Sequence, residues 1–238
     1  MIRETITVVT QNILLDRAHG DAVLPQSERV DAVVETLRAL HRPLDVVCLQ
    51  EVEGSNGRKI ANALGHGDGF WFPHPHHRRN EYIGVFGEAV QDAKAVNLGF
   101  GKTAVAAVVE GVPIVGLHFK ARYKHIRTRY YEARNLTREL LGEERAVLLG
   151  DFNGSRCDPA SWLLHQSGFR SVHPTPQPTF PTSEYAGIMW SPWQNNLVPN
   201  GIELDDIKLR GRIAVQSSGL IAGAESDHLG RWATLELS

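Results

Sequence analysis

The sequence predicts an α/β (α+β) fold in which two packed β-sheets, mainly antiparallel, are covered on their outer faces by helices. Three observations predict it. Short β-branched and apolar runs recur from Thr5 to Leu237, stretches with helical spacing interrupt them at intervals, and no linker or low-complexity block divides the 238 residues. The expectation is therefore one domain, residues 1–238, and a 42% share of hydrophobic residues is enough to fill a core of that size.

Residues 5–10, all Thr, Ile or Val and so all β-branched, predict the first strand. Residues 27–41 predict a helix, with Ser27 as N-cap and Val30, Val33, Val34, Leu37 and Leu40 on one face. A second strand covers 45–50, and a short helix runs from Arg58 to Leu64. Four strands follow, Tyr82–Phe86, Ala93–Leu98, Thr103–Val109 and Pro113–Leu117, the last two joined by a hairpin turn at Glu110-Gly111-Val112. Residues 126–141 predict a helix with Ile126, Tyr130, Ala133, Leu136 and Leu140 inward; 146–149 a strand; Pro159–Gln166 a helix; 171–200 a loop rich in Pro, Trp and Asn. Ile207–Val215 and Arg231–Leu237 end the chain as strands, and there is no internal sequence repeat.

With 25 Lys and Arg against 27 Asp and Glu, the chain carries a formal charge of -2, which excludes a uniformly basic coat for nucleic acid but not a local basic patch. Cys48 and Cys157 offer no disulfide framework, and Cys48, inside an apolar run, reads as a buried small hydrophobe. Residues 1–5 lead into a strand without a signal-peptide core, and no apolar run reaches membrane-spanning length. The expectation is a soluble cytoplasmic protein with no obligate protein partner evident.

Chemistry gathers where the apolar runs end. Ala146-Val147-Leu148-Leu149 delivers Gly150-Asp151-Phe152-Asn153, a carboxylate and a carboxamide two residues apart and so on one face of a continuing strand. Thr7–Thr10 runs into Gln11-Asn12, 45–49 into Gln50-Glu51, and Ile114–Leu117 into His118, while Ser226-Asp227-His228 lies near the chain end. Asn, Glu, His and Asp are the residue types needed to hold a hard metal ion and hydrolyse a phosphate ester.

Together with Leu204-Asp205-Asp206-Ile207, these segments resemble, in the same order, those of the exonuclease-endonuclease-phosphatase superfamily, the deoxyribonuclease I-like metal-dependent phosphoesterases. Each segment alone is weak; six in order over almost the whole chain are specific. The resemblance implies a four-layer α/β/β/α sandwich with its site at one rim of the sheets. It also implies a phosphoesterase that uses Mg²⁺, with Mn²⁺ as a substitute, to neutralise the charge that protects a phosphodiester. By the same resemblance Glu51, Asn12 and Asp227 would hold the metal. Asp151 would orient or deprotonate water, Asn153 would donate to the phosphate, and Asp205 would fix the tautomer of His228. His118 would stabilise developing charge or protonate the leaving oxygen. Two departures stand out: the aromatic expected after the superfamily's Asp is Asp206, which leaves Asp205 and Asp206 as rivals, and Leu14 stands where several nucleases carry an acidic residue.

For substrate, Lys120, Arg122, Lys124, His125, Arg127, Arg129 and Arg134 follow His118, with Lys120, Arg122, Lys124 and Arg134 the individual candidates. Such a cluster suits a polyanion such as a nucleic-acid strand; it also fits a solvated helix face balanced by Glu132 and Glu139. Trp71, Phe72, His74, His76, His77, Arg78 and Arg79 read as a substrate-facing loop rather than a second metal site. Tyr185, Trp190 and Trp193 either stack on bases or cover a sheet edge. Phosphodiesters of nucleic acid or nucleotide type are the leading substrates. Phosphomonoesters, inositol or lipid phosphodiesters, and a non-catalytic binding module are the alternatives.

Overall fold

A computed structural model describes residues 5–15, 25–75, 80–180, 201–222 and 225–237. In chain order the elements are β1 (Thr5–Asn12), α1 (Gln26–Arg38), β2 (Val46–Glu53), α2 (Asn56–Ala63), β3 (Phe70–Pro73), β4 (Glu81–Phe86), β5 (Ala93–Gly99), β6 (Lys102–Val109), β7 (Val112–His118), α3 (Ile126–Glu139), β8 (Ala146–Asp151), α4 (Pro159–Gln166), β9 (Arg170–Ser171), β10 (Asp205–Arg210), β11 (Ala214–Ile221) and β12 (Gly230–Glu236). One sheet has the order β11-β12-β1-β2-β4-β3 and the other β5-β6-β7-β8-β10-β9.

Alternation along the strands builds the layers. In β1, Ile6 and Val8 join Val46, Cys48, Val105, Ile114, Val147, Leu149 and Ile207 between the sheets. Val9 turns to the other face and meets Val30, Val33, Val34 and Leu37 of α1 and Ile60 of α2. On the far side, Leu117, Leu148 and Phe119 pack under Ala133 and Leu136 of α3 and Leu164 of α4. The result is the four-layer helix–sheet–sheet–helix sandwich. Cys48 is buried where Gly116 leaves room, since a Cβ on Gly116 would lie 2.1 Å from Cys48 Sγ; burial pushes the Cys48 thiol up to about 12.

Each sheet contains one parallel pair, β1 with β2 and β7 with β8. Every other strand pairing is antiparallel among the described residues. A parallel pair needs a crossover, supplied by α1 in one sheet and by α3 in the other. Both crossovers leave two strand C-termini side by side at one rim, and there Asn12, Glu51, His118 and Asp151 lie.

The structure corrects several sequence expectations. α1 starts at Gln26 after Pro25, so Ser27 lies in its first turn and does not cap it. Trp71 and Phe72 belong to strand β3, where the Trp71 ring crosses Gly84 and Gly57, rather than to a substrate-facing loop. The predicted strand Ile207–Val215 is broken at Gly211, φ 78°, and its halves enter different sheets as β10 and β11. Arg129 and Glu132, read as surface charges, are buried. His76–Arg79, Tyr185, Trp190 and Trp193 lie outside the described residues. The Glu110-Gly111 hairpin turn is present, both residues having positive φ (50° and 74°) as a two-residue type I′ connection requires.

Candidate active site

Strand register assembles the centre of the site. His118 pairs with Asp151 in the parallel β7–β8 ladder, and Asp205 pairs with Asp151 in the antiparallel β8–β10 ladder. Residues in register on neighbouring strands project to the same side, so the three form one row across the sheet. The opposite sheet brings Asn12 from β1 and Glu51 from β2. A bulge between Leu49 and Val52 and a left-handed backbone at Glu51, φ 57°, turn the Glu51 side chain toward the rim.

Asn12 joins the two halves, its Nδ2 donating to Glu51 Oε1 (3.1 Å) and Asp151 Oδ2 (3.2 Å). Leu15 N–H donates to Glu51 Oε2 (3.1 Å), fixing the carboxylate. Asp151 is 1% exposed and accepts from Asn153 twice, at Oδ1 from the backbone N–H (2.8 Å) and at Oδ2 from Nδ2 (3.1 Å). Asn153 Nδ2 also donates to Phe119 O (2.9 Å), so its amide hydrogens hold Asp151 and the end of β7 in place.

The two imidazoles face this centre from opposite sides. His228 Nδ1 is 2.7 Å from Asp205 Oδ2, and its Nε2 is 3.9 Å from Asp151 Oδ2. Asp206 turns away, bonding Lys208 Nζ (2.6 Å) and Ser171 Oγ (2.8 Å). His118 Nε2 lies 3.7 Å from both Glu51 Oε1 and Asp151 Oδ2. Its Nδ1 is 3.1 Å from Lys102 Nζ and 3.2 Å from Glu81 Oε1. Lys102 and Glu81 also bond each other (3.1 Å), and His74, 3% exposed, stands 3.4 Å from Glu81. Sequence reasoning missed Glu81 and Lys102. Their only signals were a charge opening each of two apolar strands, Glu81-Tyr82-Ile83 and Lys102-Thr103-Ala104.

Further out, buried Arg231 donates to Asp205 O (2.6 Å) and Glu203 Oε1 (2.8 Å), and Thr179 Oγ1 accepts the Asp205 N–H (3.0 Å). Arg29 donates to Ile13 O and Leu14 O (2.6 and 2.7 Å), holding the segment that follows Asn12. Among the substrate candidates, Lys120 is half-buried with its N–H on Glu132 Oε2 (2.9 Å), while Arg122 and Lys124 are exposed beside the rim. Arg134 is exposed eight residues into α3, roughly 12 Å along the helix from its first residue. Arg129 is not available to substrate, because it bonds Asp158 (2.6 Å) beneath the loop.

Electrostatics of the site are dominated by crowded carboxylates. Burial raises the Asp227 carboxyl to about 6, and the negative Glu51, Asp151 and Asp205 add to that rise against the opposing effect of His228. Asp151 is raised by burial and by Asp205. Burial alone would lower the His228 pKa, but Asp205, Asp227 and Asp151 outweigh it and hold it well above the usual histidine range. Burial would likewise raise Glu81, but the His118 bond and the nearby charges of Lys102, His118 and His74 hold it below the usual carboxylate range.

This donor set suits a hard divalent cation. Glu51, His118 and Asp151 offer ligand atoms within 4.8 Å of one another, and so do Asp151, Asp205 and His228. The set His74, Glu81 and His118 is equally close, but there the Lys102 ammonium already supplies the positive charge.

Two six-stranded sheets that share one acidic, histidine-bearing rim define a phosphoesterase-type sandwich with groups able to hold a metal. Residues 9–228 match the model of the Endonuclease/Exonuclease/phosphatase family, and the chain belongs to that family. Three solved structures show the same fold. An endonuclease/exonuclease/phosphatase from Bacteroides vulgatus is 21% identical, with a TM-score of 0.78, covering 99% of this chain and 100% of its own. D. rerio TDP2 complexed with single-strand DNA product is 14% identical, with a TM-score of 0.72 and coverage of 98% and 99%. A mannosyl-6-phosphatase from Bacteroides thetaiotaomicron is 14% identical, with a TM-score of 0.68 and coverage of 97% and 99%. No curated protein matches the sequence. Among the described residues, no helix is long and apolar enough to cross a membrane.

Proposed function

We propose that the protein is a divalent-metal-dependent phosphodiester hydrolase acting on nucleic acid or nucleotide-like substrates by attack of water on phosphorus. The observation that carries this reading is the 2.7 Å His228–Asp205 pair, whose free ring nitrogen faces Asp151 at 3.9 Å across the rim that also holds Glu51. The two sheets share one core, which supports reading residues 1–238 as a single domain.

Glu51, with Asn12 and Asp227 beside it, would hold Mg²⁺ or Mn²⁺, which supplies Lewis-acid neutralisation of the phosphate charge. Asp151, anchored by Asn153 and Asn12, orients the attacking water and accepts its proton. With Nδ1 committed to Asp205, His228 presents Nε2 to the phosphate. His118 presents Nε2 from the other side, its Nδ1 held by Lys102 and Glu81, and stabilises or protonates the leaving oxygen. Asn153 reaches the phosphate by exchanging its Asp151 bond, the longer of its two side-chain bonds. Lys120, Arg122 and Lys124 flank the rim and bind further phosphates; Arg134, far along α3, serves only a long strand.

The test is hydrolysis of single-stranded DNA, RNA, a bis-aryl phosphodiester, an aryl phosphomonoester and inositol polyphosphate, each with Mg²⁺, Mn²⁺ or EDTA. Metal-dependent turnover of diesters that Asp151→Asn and His228→Ala each reduce by about 10²-fold or more supports the proposal. Turnover confined to the monoester or inositol polyphosphate would move the reading to those classes. Function unchanged by EDTA would sink the metal-dependent reading.

A further inference from the structure

We propose that the cleft between the start of α3 and the start of α4 is a subsite for a base of a single-stranded nucleic acid, whose phosphates are led from the catalytic rim by Arg122, Lys124 and Arg127. This rests on the phosphodiesterase reading and adds to it a surface outside the reacting centre. The cleft holds about 270 Å³ and is lined by Ile126, Arg127, Tyr130, Tyr131 and Pro159. That is below the roughly 300–1,000 Å³ of pockets for drug-sized ligands and on the scale of one flat ring system.

Its walls are aromatic and open to solvent. Tyr131 is 45% exposed, with its ring 5.8 Å from that of Tyr130 and 6.0 Å from that of Phe100, itself 57% exposed. Trp162, 59% exposed, lies three residues beyond Pro159 and so on the same face of α4, one turn along. These rings are spread along one outer surface instead of filling the core. Solvent-facing rings with cations beside them are what a single strand uses for sequence-tolerant stacking.

The cations connect this surface to the catalytic rim. The loop that carries them starts at Lys120, just after Phe119, whose N–H is bonded to Asp151 O (2.9 Å). From His118 to Tyr131 the chain has five Lys and Arg and no Asp or Glu, although the whole chain is at -2. Among the described residues, Arg122, Lys124 and Arg127 have no carboxylate partner within 4 Å. The His125 imidazole is lowered by desolvation and by the nearby cations Lys124, Lys120, Arg129 and Arg122, a sign of the local positive field. One buried guanidinium sets the geometry. Arg129 bonds Lys120 O and Arg122 O (3.1 and 2.9 Å) and also Asp158, whose other oxygen caps α4 at the Ala160 N–H (2.9 Å). Loop and both cleft walls are thereby tied together. A protein partner could also cover exposed aromatics, but an unpaired cationic approach favours a polyanion.

The experiment is fluorescence anisotropy of a labelled oligo-dT 15-mer, with EDTA to prevent turnover, for wild type, Tyr131→Ala, Trp162→Ala and Arg127→Ala. Leu141→Ala, exposed outside the cleft, is the control. Expected are a loss of about fivefold or more for Tyr131→Ala and, for Arg127→Ala, weaker binding with a salt slope shallower by about 0.7. The Leu141→Ala affinity stays at the wild-type value. No binding by wild type, or wild-type affinity in the cleft variants (as a protein-binding cleft would give), overturns the proposal. Wild-type hydrolysis of the bis-aryl diester is run in parallel: its absence would sink the phosphodiesterase reading while leaving the binding result to stand by itself.

Discussion

Successive residues of a strand point to opposite faces, so Asp205 and Asp206 meet different partners: His228 on the rim side, and Lys208 with Ser171 on the side under α4. Asp205→Asn should lower kcat by about 10²–10⁴ with little loss of stability, because the amide no longer holds His228 in the required tautomer. Asp206→Asn should leave kcat near wild type but cost about 3 kcal/mol by leaving buried Lys208 without its carboxylate. Steady-state kinetics beside urea unfolding would separate them, and the reverse pattern would give His228's partner to Asp206. In the sequence the two were rivals, because a one-residue slip of register exchanges the faces and nothing local sets that register. Glu81 and Lys102 were hidden for a related reason, since they meet His118 only across strands distant in the chain. Arg129 and Glu132 misled because charges at helical spacing ordinarily face water; here each has a buried partner, Asp158 and the Lys120 N–H.

Elements were legible where one apolar face sufficed to define them. All four helices and most of the central strands stand within a few residues of their predicted places, because the strands share the core between the sheets and each helix pair packs on a core of its own over an outer face. β3 and the β10–β11 break were not legible. β3 is four residues at a sheet edge with Pro73 in it, and the break depends on Gly211, where a Cβ would come within 2.3 Å of Glu144 O. Gly150 has a comparable place in the strand that carries Asp151. Its φ is +148° and an added Cβ would lie 2.0 Å from Leu117 O, so backbone blocks it rather than a side chain that could move. Gly150→Ala should therefore destabilise by about 3 kcal/mol or more and cut turnover even in the folded fraction, by shifting Asp151 against His118. Denaturant unfolding with activity normalised to folded protein checks both, and wild-type-like values for the two would refute the close approach.

At the scale of the molecule, each sheet carries the same central order of strand directions, antiparallel, parallel, antiparallel, although the sequence has no repeat. Facing each other, the two halves concentrate Glu51, Asp151, Asp205 and Asp227 at one rim, a repulsion that a cation relieves. Mg²⁺ at a hundred times its Kd should then stabilise the protein by about 2.7 kcal/mol, a rise in Tm of roughly 5–10 °C for a chain of this length. Glu51→Gln should remove most of that rise. Thermal scans with and without EDTA measure it, and an equal shift in Glu51→Gln would place the cation elsewhere.

The sequence by itself determined the layers, through the alternation that sends Val8 and Val9 to opposite faces, and the chemistry at the strand ends, because hard-metal and proton-transfer groups sit there in a specific order. Only the tertiary structure decided which groups touch. The Asp205–His228 bond spans 23 positions and the Asn12–Asp151 bond 139. Such pairs depend on ladder register, on the Glu51 bulge and on the facing of two sheets. Those are properties of packed strands, which no local stretch of the chain encodes.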